Sequence, residues 1–184
     1  MPDDTDNYDK ITKALERLAD IHVMVGIPAA NDQRSDKAPS NATLGYIHEV
    51  GSPINNIPAR PFLVPGVRSS EREWTKYMVQ AGQAAFRGDE GVLDRALNAA
   101  GQTAVTAVKK TIVAGIPPPL KPGTVAARAR HAGDAAFNQA YRQWHANYRP
   151  GHTEVTSGGV TPLIDTAQLI NSITYVVKKR PAPP

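Results

Sequence analysis

Residues 46–65, YIHEVGSPINNIPARPFLVP, limit this chain more than any other stretch, because four prolines and a glycine leave that backbone few conformations. Gly51 stands where a helix through Val50 should end, in a left-handed backbone that costs glycine nothing, and Pro53 forbids continuation. Pro58 and Pro61 fix their own φ and drive Ile57 and Arg60 toward extended conformations, so IPARPFL is expected to run stiff and nearly straight. Pro65 and Gly66 then precede a long helical pattern. The stretch is a corner that aims one helix at another. Within it, Glu49 is expected to accept from Arg60 across the turn, and Arg60 is expected to lie shallow, where its loss would harm assembly more than folding.

The flanking sequence shows both helical and strand periods. Residues 8–20 place Ile11, Leu15 and Leu18 at helical spacing after an Asp-rich start. Residues 21–27 alternate, with Ile21, Val23, Val25 and Ile27 on one face of an expected strand. Residues 29–40 have the composition of a mobile loop, and Asn41 is placed to cap a helix from Ala42. Beyond the corner, Val67, Trp74, Met78, Ala81 and Ala85 share a face of a helix over 68–86, which Gly88 should end. Asp89 should cap a second helix reaching Ala114, with Leu93, Leu97, Ala100, Ala104, Val108 and Ile112 as its stripe. Gly115 and Pro117-Pro118-Pro119 close it, Thr124 opens a short basic helix, and Asp165 or Thr166 should cap a last short helix through Asn171. A strand over 173–178 is then placed to pair with 21–27. Together these patterns describe one α+β domain over residues 1–184, with a small antiparallel or mixed sheet, a long helical hairpin and proline-stiffened loops and arms.

Composition excludes several classes of function. There is no cysteine, hence no disulfide, thiolate metal site or thiol nucleophile. No apolar run approaches the roughly 18 residues of a membrane span, so no membrane partner is expected. The net charge of +4 is uneven: residues 1–40 hold five basic and eight acidic side chains, leaving sixteen basic and nine acidic to the rest. A basic body can associate with acidic partners or serve only as a solvated surface.

Candidate chemistry is sparse. His48 and Glu49 are sequence neighbours about 100° apart on a helix, and no second histidine lies four residues away as a metalloprotease pattern requires. His131, His145 and His152 carry no metal spacing, and neither G-x-S-x-G nor a phosphate loop occurs. No catalytic residue, cofactor or metal is therefore expected. Phe137, Tyr141, Trp144 and Tyr148 form an aromatic edge that suits the protein's own core, a neighbouring subunit, or stacking on single-stranded nucleic acid. Arg128, Arg130 and Arg142 are candidates to face DNA nonspecifically.

Four pieces of the sequence together resemble one family. ATLGYIHEVG (42–51) and IPARPFL (57–63) resemble the "ihEfG … iPaRPFl" signature of phage tail-completion and virion-morphogenesis proteins; PLKPGTVAAR (119–128) resembles its "PLsp.T…R" middle, and PLIDTAQLINSITY (162–175) its "pLidTGqLrnSI" ending. The resemblance covers about half the chain. It implies a structural protein of the virion neck or tail, assembled in the bacterial host cytoplasm, forming a homo-oligomeric ring, expected to be a hexamer. That ring would join the head-proximal end of the tail to the head–tail connector, touching the tail tube protein, neck proteins and packaged DNA. Glu49, Gly51, Pro58, Arg60, Pro61 and Phe62 would form the assembly corner. Where the family passes quickly from the "T…R" helix to "pLidTG", this chain inserts about thirty residues, so residues 132–160 are expected to form an intersubunit arm anchored by Trp144. A nonspecific DNA-binding module and a degradative virion enzyme are the alternatives.

Overall fold

The structure, a computed structural model, describes residues 4–32, 39–132, 139, 142–143, 146, 161–164 and 167–179. Its longest element is helix α5 (Glu90–Ala114), and all six expected stripe positions, from Leu93 to Ile112, are buried along it. Asp89 begins it as expected, its Oδ1 accepting from the Val92 N–H at 2.9 Å. Gly115 ends it at φ +84°. The chain resolves into two compact units, Met1–Gly26 with Val67–Ala107 and Thr174–Pro184, and Ile27–Gly66 with Val108–Ile173. Residues 90–107 of α5 belong to the first and 108–114 to the second.

In the first unit, strands β1 (Ile21–Gly26) and β2 (Thr174–Lys179) pair antiparallel, joining early and late parts of the chain. Val23 faces Val177 and Val25 faces Tyr175, so the alternating apolar positions share one side of the sheet. Ile27 and Ile173 fall outside the strands. Helix α4 (Glu71–Arg87) turns into α5 through Gly88, left-handed at φ +72°. Ala81, Ala84 and Ala85 of α4 and Leu93, Ala96 and Leu97 of α5 form the core of this hairpin, covered by Leu18, Ile21, Val23, Met78, Val92 and Val177. Tyr175 lies directly over Gly101: a Cβ at that glycine would fall 2.5 Å from the ring Cγ. Its hydroxyl donates to Asn98 Oδ1 at 2.9 Å.

Two expectations shift here. Helix α1 (Asp4–Ala19) buries Ala14 and partly buries Leu18, while Ile11 and Leu15 of the expected stripe stay about half exposed. Its small residue sets the line of close approach, so the large side chains fall to the flank. The helix expected over 68–86 is interrupted at Ser70, whose Oγ donates to the Val67 carbonyl at 3.2 Å and draws the backbone out of register. The Trp74 indole N–H reaches the same oxygen at 3.2 Å.

The second unit gathers α2 (Asn41–Val50), the start of α3 (Leu63–Ser69), the end of α5, α6 (Pro122–Ala132) and α7 (Gln168–Ser172). Gly45 of α2 sits among Ile27, Phe62 and Leu169, and Gly66 of α3 lies so close to α5 that a Cβ would be 2.6 Å from Val108 Cα. Pro65 stands within the first turn of α3 rather than ahead of it, where its missing N–H leaves no helical bond unmade. Both caps differ from expectation. Ser40, not Asn41, caps α2, its Oγ accepting from the Thr43 N–H at 3.1 Å; Asn41 is already helical and buried. Ala167, left-handed at φ +57°, precedes α7, while Asp165 and Thr166 lie outside the described residues. Of the expected loop 29–40, Ala29–Asn31 form a 3₁₀ turn, and Asp32 Oδ1 accepts from the Ala42 N–H at 2.6 Å. Residues 33–38 lie outside the described residues.

Candidate functional site

The corner is held by two polar clamps, neither of which is the expected Glu49–Arg60 bond. Gly51 ends α2 with φ +80° and ψ 172°, a conformation open essentially to glycine, and a Cβ there would lie 2.8 Å from the Ala59 nitrogen. Helix α2 therefore stops against the returning strand-like segment and aims Glu49 toward α3. The Glu49 carboxylate accepts from three successive N–H groups, Phe62 at 2.7 Å and Leu63 at 2.9 Å on Oε2 and Val64 at 3.1 Å on Oε1. A negative charge thus sits on the unpaired donors at the N-terminus of α3, where it is most stabilising. Phe62, with its backbone held this way, is 2 % exposed.

Arg60 takes a different partner. It is 6 % exposed, and its guanidinium donates to the Pro118 carbonyl through Nε at 3.0 Å and Nη2 at 2.7 Å, with Nη2 also 3.3 Å from the Pro119 carbonyl. Its backbone N–H donates to the His48 carbonyl at 2.7 Å. This corrects the expectation of a shallow Arg60. Pro58 and Pro61 extend the backbone on both sides, and that extension lets one side chain reach carbonyls 58 residues away along the chain. The short segment buries its arginine because the triproline exit of α5 comes to it. The proline run lies outside helix and strand, so its carbonyls are left to accept from an outside donor.

Arg128 makes a third clamp. Its Nη1 donates to the Thr161 carbonyl at 3.1 Å and the Ile164 carbonyl at 2.7 Å, tying α6 to the segment before α7. Arg128, expected to face DNA, thus also holds the chain together. Arg130 lies within α6, and Arg142 is exposed. Phe137, Tyr141, Trp144 and Tyr148 lie outside the described residues, as does the expected arm over 132–160 apart from residues 132, 139, 142–143 and 146. His48 stands between these clamps. Its pKa is lowered from the ordinary 6.5, by burial first and then by the Arg60 and Arg128 charges, and its Nδ1 is buried without a hydrogen-bond partner among the described residues. Burial, and next the Arg128 charge, also lowers the pKa of Arg60.

The corner also displays apolar side chains that sequence reading passed over. Ser52 and Ile57 exchange backbone bonds at 2.8 and 3.0 Å, closing a turn over Pro53, Ile54, Asn55 and Asn56. At its tip Ile54 is 98 % exposed, and on the solvent side of α2 Tyr46 and Val50 are also exposed. The available signal was an isoleucine inside the turn tetrad Pro-Ile-Asn-Asn, where polar residues are the rule. Chemically, these groups hold and present a surface. Among the described residues no group of three His, Asp or Glu side chains could hold a metal ion, and no helix is long and apolar enough to cross a membrane. Comparison of the chain with protein-family models, curated proteins and solved structures finds no match.

Proposed function

We propose that this chain is a structural protein of a phage neck or tail, of the tail-completion or tail-terminator type, which joins the head-proximal end of the tail to the head–tail connector as a ring of identical subunits. One observation carries the reading: the sequence pieces that resemble the tail-completion signature, far apart along the chain, bond to one another. Glu49 of the first piece holds Phe62 and Leu63 of the second. Arg60 of the second reaches Pro119 at the head of the third, and Arg128 of the third holds Ile164 of the fourth. That these pieces form one bonding network supports reading them as parts of one signature. Ala167 adds support, since it holds a left-handed backbone at the position where the signature carries glycine.

The experiment is head–tail joining. Lysates of a phage lacking this chain should accumulate separate filled heads and finished tails, and the purified protein should restore joined particles. Joined particles formed without the protein would refute the proposal. Salt-sensitive binding of duplex DNA by the purified chain would favour the DNA-binding module instead, and a lytic or nuclease activity lost in Glu49→Gln would favour the degradative enzyme.

A further inference from the structure

We infer that the outer edge of β1 is a docking edge for an extended, acidic segment of another protein, which joins the sheet as a third strand. The sheet has two strands, so each carries one edge without a neighbour. In an antiparallel ladder every second residue of β1 turns its N–H and C=O away from β2. Apart from that ladder, no hydrogen bond between described residues reaches the β1 backbone, so a row of main-chain donors and acceptors is open along the edge. Burial agrees: no residue of β1 is fully buried, not even Val23 and Val25 on the packed side of the sheet.

The two edges are not alike. β2 ends in Lys178 and Lys179, and Arg180 and Pro181 follow, the charges and proline that blunt an edge against further pairing. β1 has no such guard. Ile21–Gly26 holds no Asp, Glu, Lys, Arg or Pro, and its Ile21, Val23 and Val25 favour extended pairing. An edge of this kind takes up a strand through main-chain bonds, while side chains of alternating direction set which strand it takes.

Those side chains define the occupant. On the packed side, Val23 and Val177 cover the hairpin core of α4 and α5, so an incoming strand places apolar residues beside Val23 and Val25. On the opposite side Met24 is 44 % exposed, and His22 and Lys178, partners across the ladder, are both exposed. Neither strand contains Asp or Glu, so the sheet itself sets no carboxylate beside the His22 ring N–H and the Lys178 ammonium. An acidic side chain next to His22 on the incoming strand supplies one, and opposite-charge neighbours across a ladder stabilise it. The occupant therefore alternates apolar residues with polar ones, Asp or Glu among them.

This inference goes beyond the neck reading, and its test needs only the purified full chain and a synthetic peptide, so either can fail alone. The probe is a short capped peptide in which valine alternates with threonine and glutamate. Amide NMR and hydrogen exchange should show the peptide protecting alternate residues of β1 while the outer edge of β2 stays unprotected. Of two N-methylated versions, one methylated at the valines and one at the polar residues, only one should bind, because a single set of peptide N–H groups faces β1. Lysine in place of glutamate should weaken binding roughly threefold or more. His22→Glu should reverse that preference and leave thermal unfolding in place, since the side chain is exposed. Absence of peptide binding, equal binding of the two methylated versions, or protection confined to β2 would overturn the inference. Protection of the outer β1 amides in the chain alone would overturn it too, by placing another part of this chain or a second copy on the edge.

Discussion

Arg60 and Pro118 are joined twice, Nε and Nη2 of the guanidinium converging on one carbonyl oxygen at 3.0 and 2.7 Å. The charge is buried and its Nε and Nη2 donate to backbone carbonyls, so Arg60 belongs to the folding of the corner before it belongs to any partner. Arg60→Ala should lower the unfolding free energy by about 3 kcal/mol, since charged hydrogen bonds are lost and the proline carbonyls are left dry. Arg60→Lys should recover only part, because an ammonium cannot reproduce the planar fork. Urea unfolding measures both; an alanine variant as stable as wild type would refute the assignment.

Glu49 acts as a cap, with one carboxylate serving three N–H groups of α3. Glu49→Gln keeps one acceptor oxygen and loses the charge, and a destabilisation of about 1 to 2 kcal/mol is expected. Chemical unfolding of wild type and variant measures it, and a variant as stable as wild type would mean that the three N–H groups do not depend on the carboxylate.

His48 predicts a pH dependence with a definite sign. Its folded-state pKa lies below the unfolded value of 6.5, so between the two the unfolded chain binds more protons. The stability it confers is complete above pH 6.5 and is lost as pH falls through the folded-state value. In His48→Gln the slope of stability against pH just below 6.5 should flatten. An unchanged slope would mean that the imidazole takes up its proton without opening the corner.

Three helical glycines should respond to alanine in different ways. Around Gly82 no atom lies within 4 Å of where a Cβ would stand, so Gly82→Ala should stabilise by about 0.5 to 1 kcal/mol through helix propensity alone. At Gly66 the methyl would meet the α5 backbone at 2.6 Å, and at Gly101 the Tyr175 ring; both substitutions should destabilise by about 1 to 3 kcal/mol despite the same gain in propensity. Thermal melts of the three variants give the ordering directly.

Local chemistry made much of this protein legible in advance. The full length of α5, its Asp89 cap, the Gly88 turn, the end of α2 at Gly51 and the pairing of β1 with β2 all follow from periodicity and from residues whose backbone preferences act within a few positions. Where expectation and structure part, the deciding contact is distant or belongs to a competing neighbour. Ser40 displaces Asn41 as cap because Asn41 is drawn into a buried site, and α1 packs through Ala14 and Leu18 while Ile11 and Leu15 of its expected stripe stay half exposed. The corner shows this most plainly. Its prolines announced a stiff, extended segment, yet no local rule could say that Arg60 would reach the carbonyls of Pro118 and Pro119, or that Glu49 would be left to cap α3. Backbone bias acts through neighbouring residues and is written in sequence; the partner of a buried charge is chosen by whichever carbonyls or N–H groups the assembled fold leaves without water, and only the tertiary structure decides that.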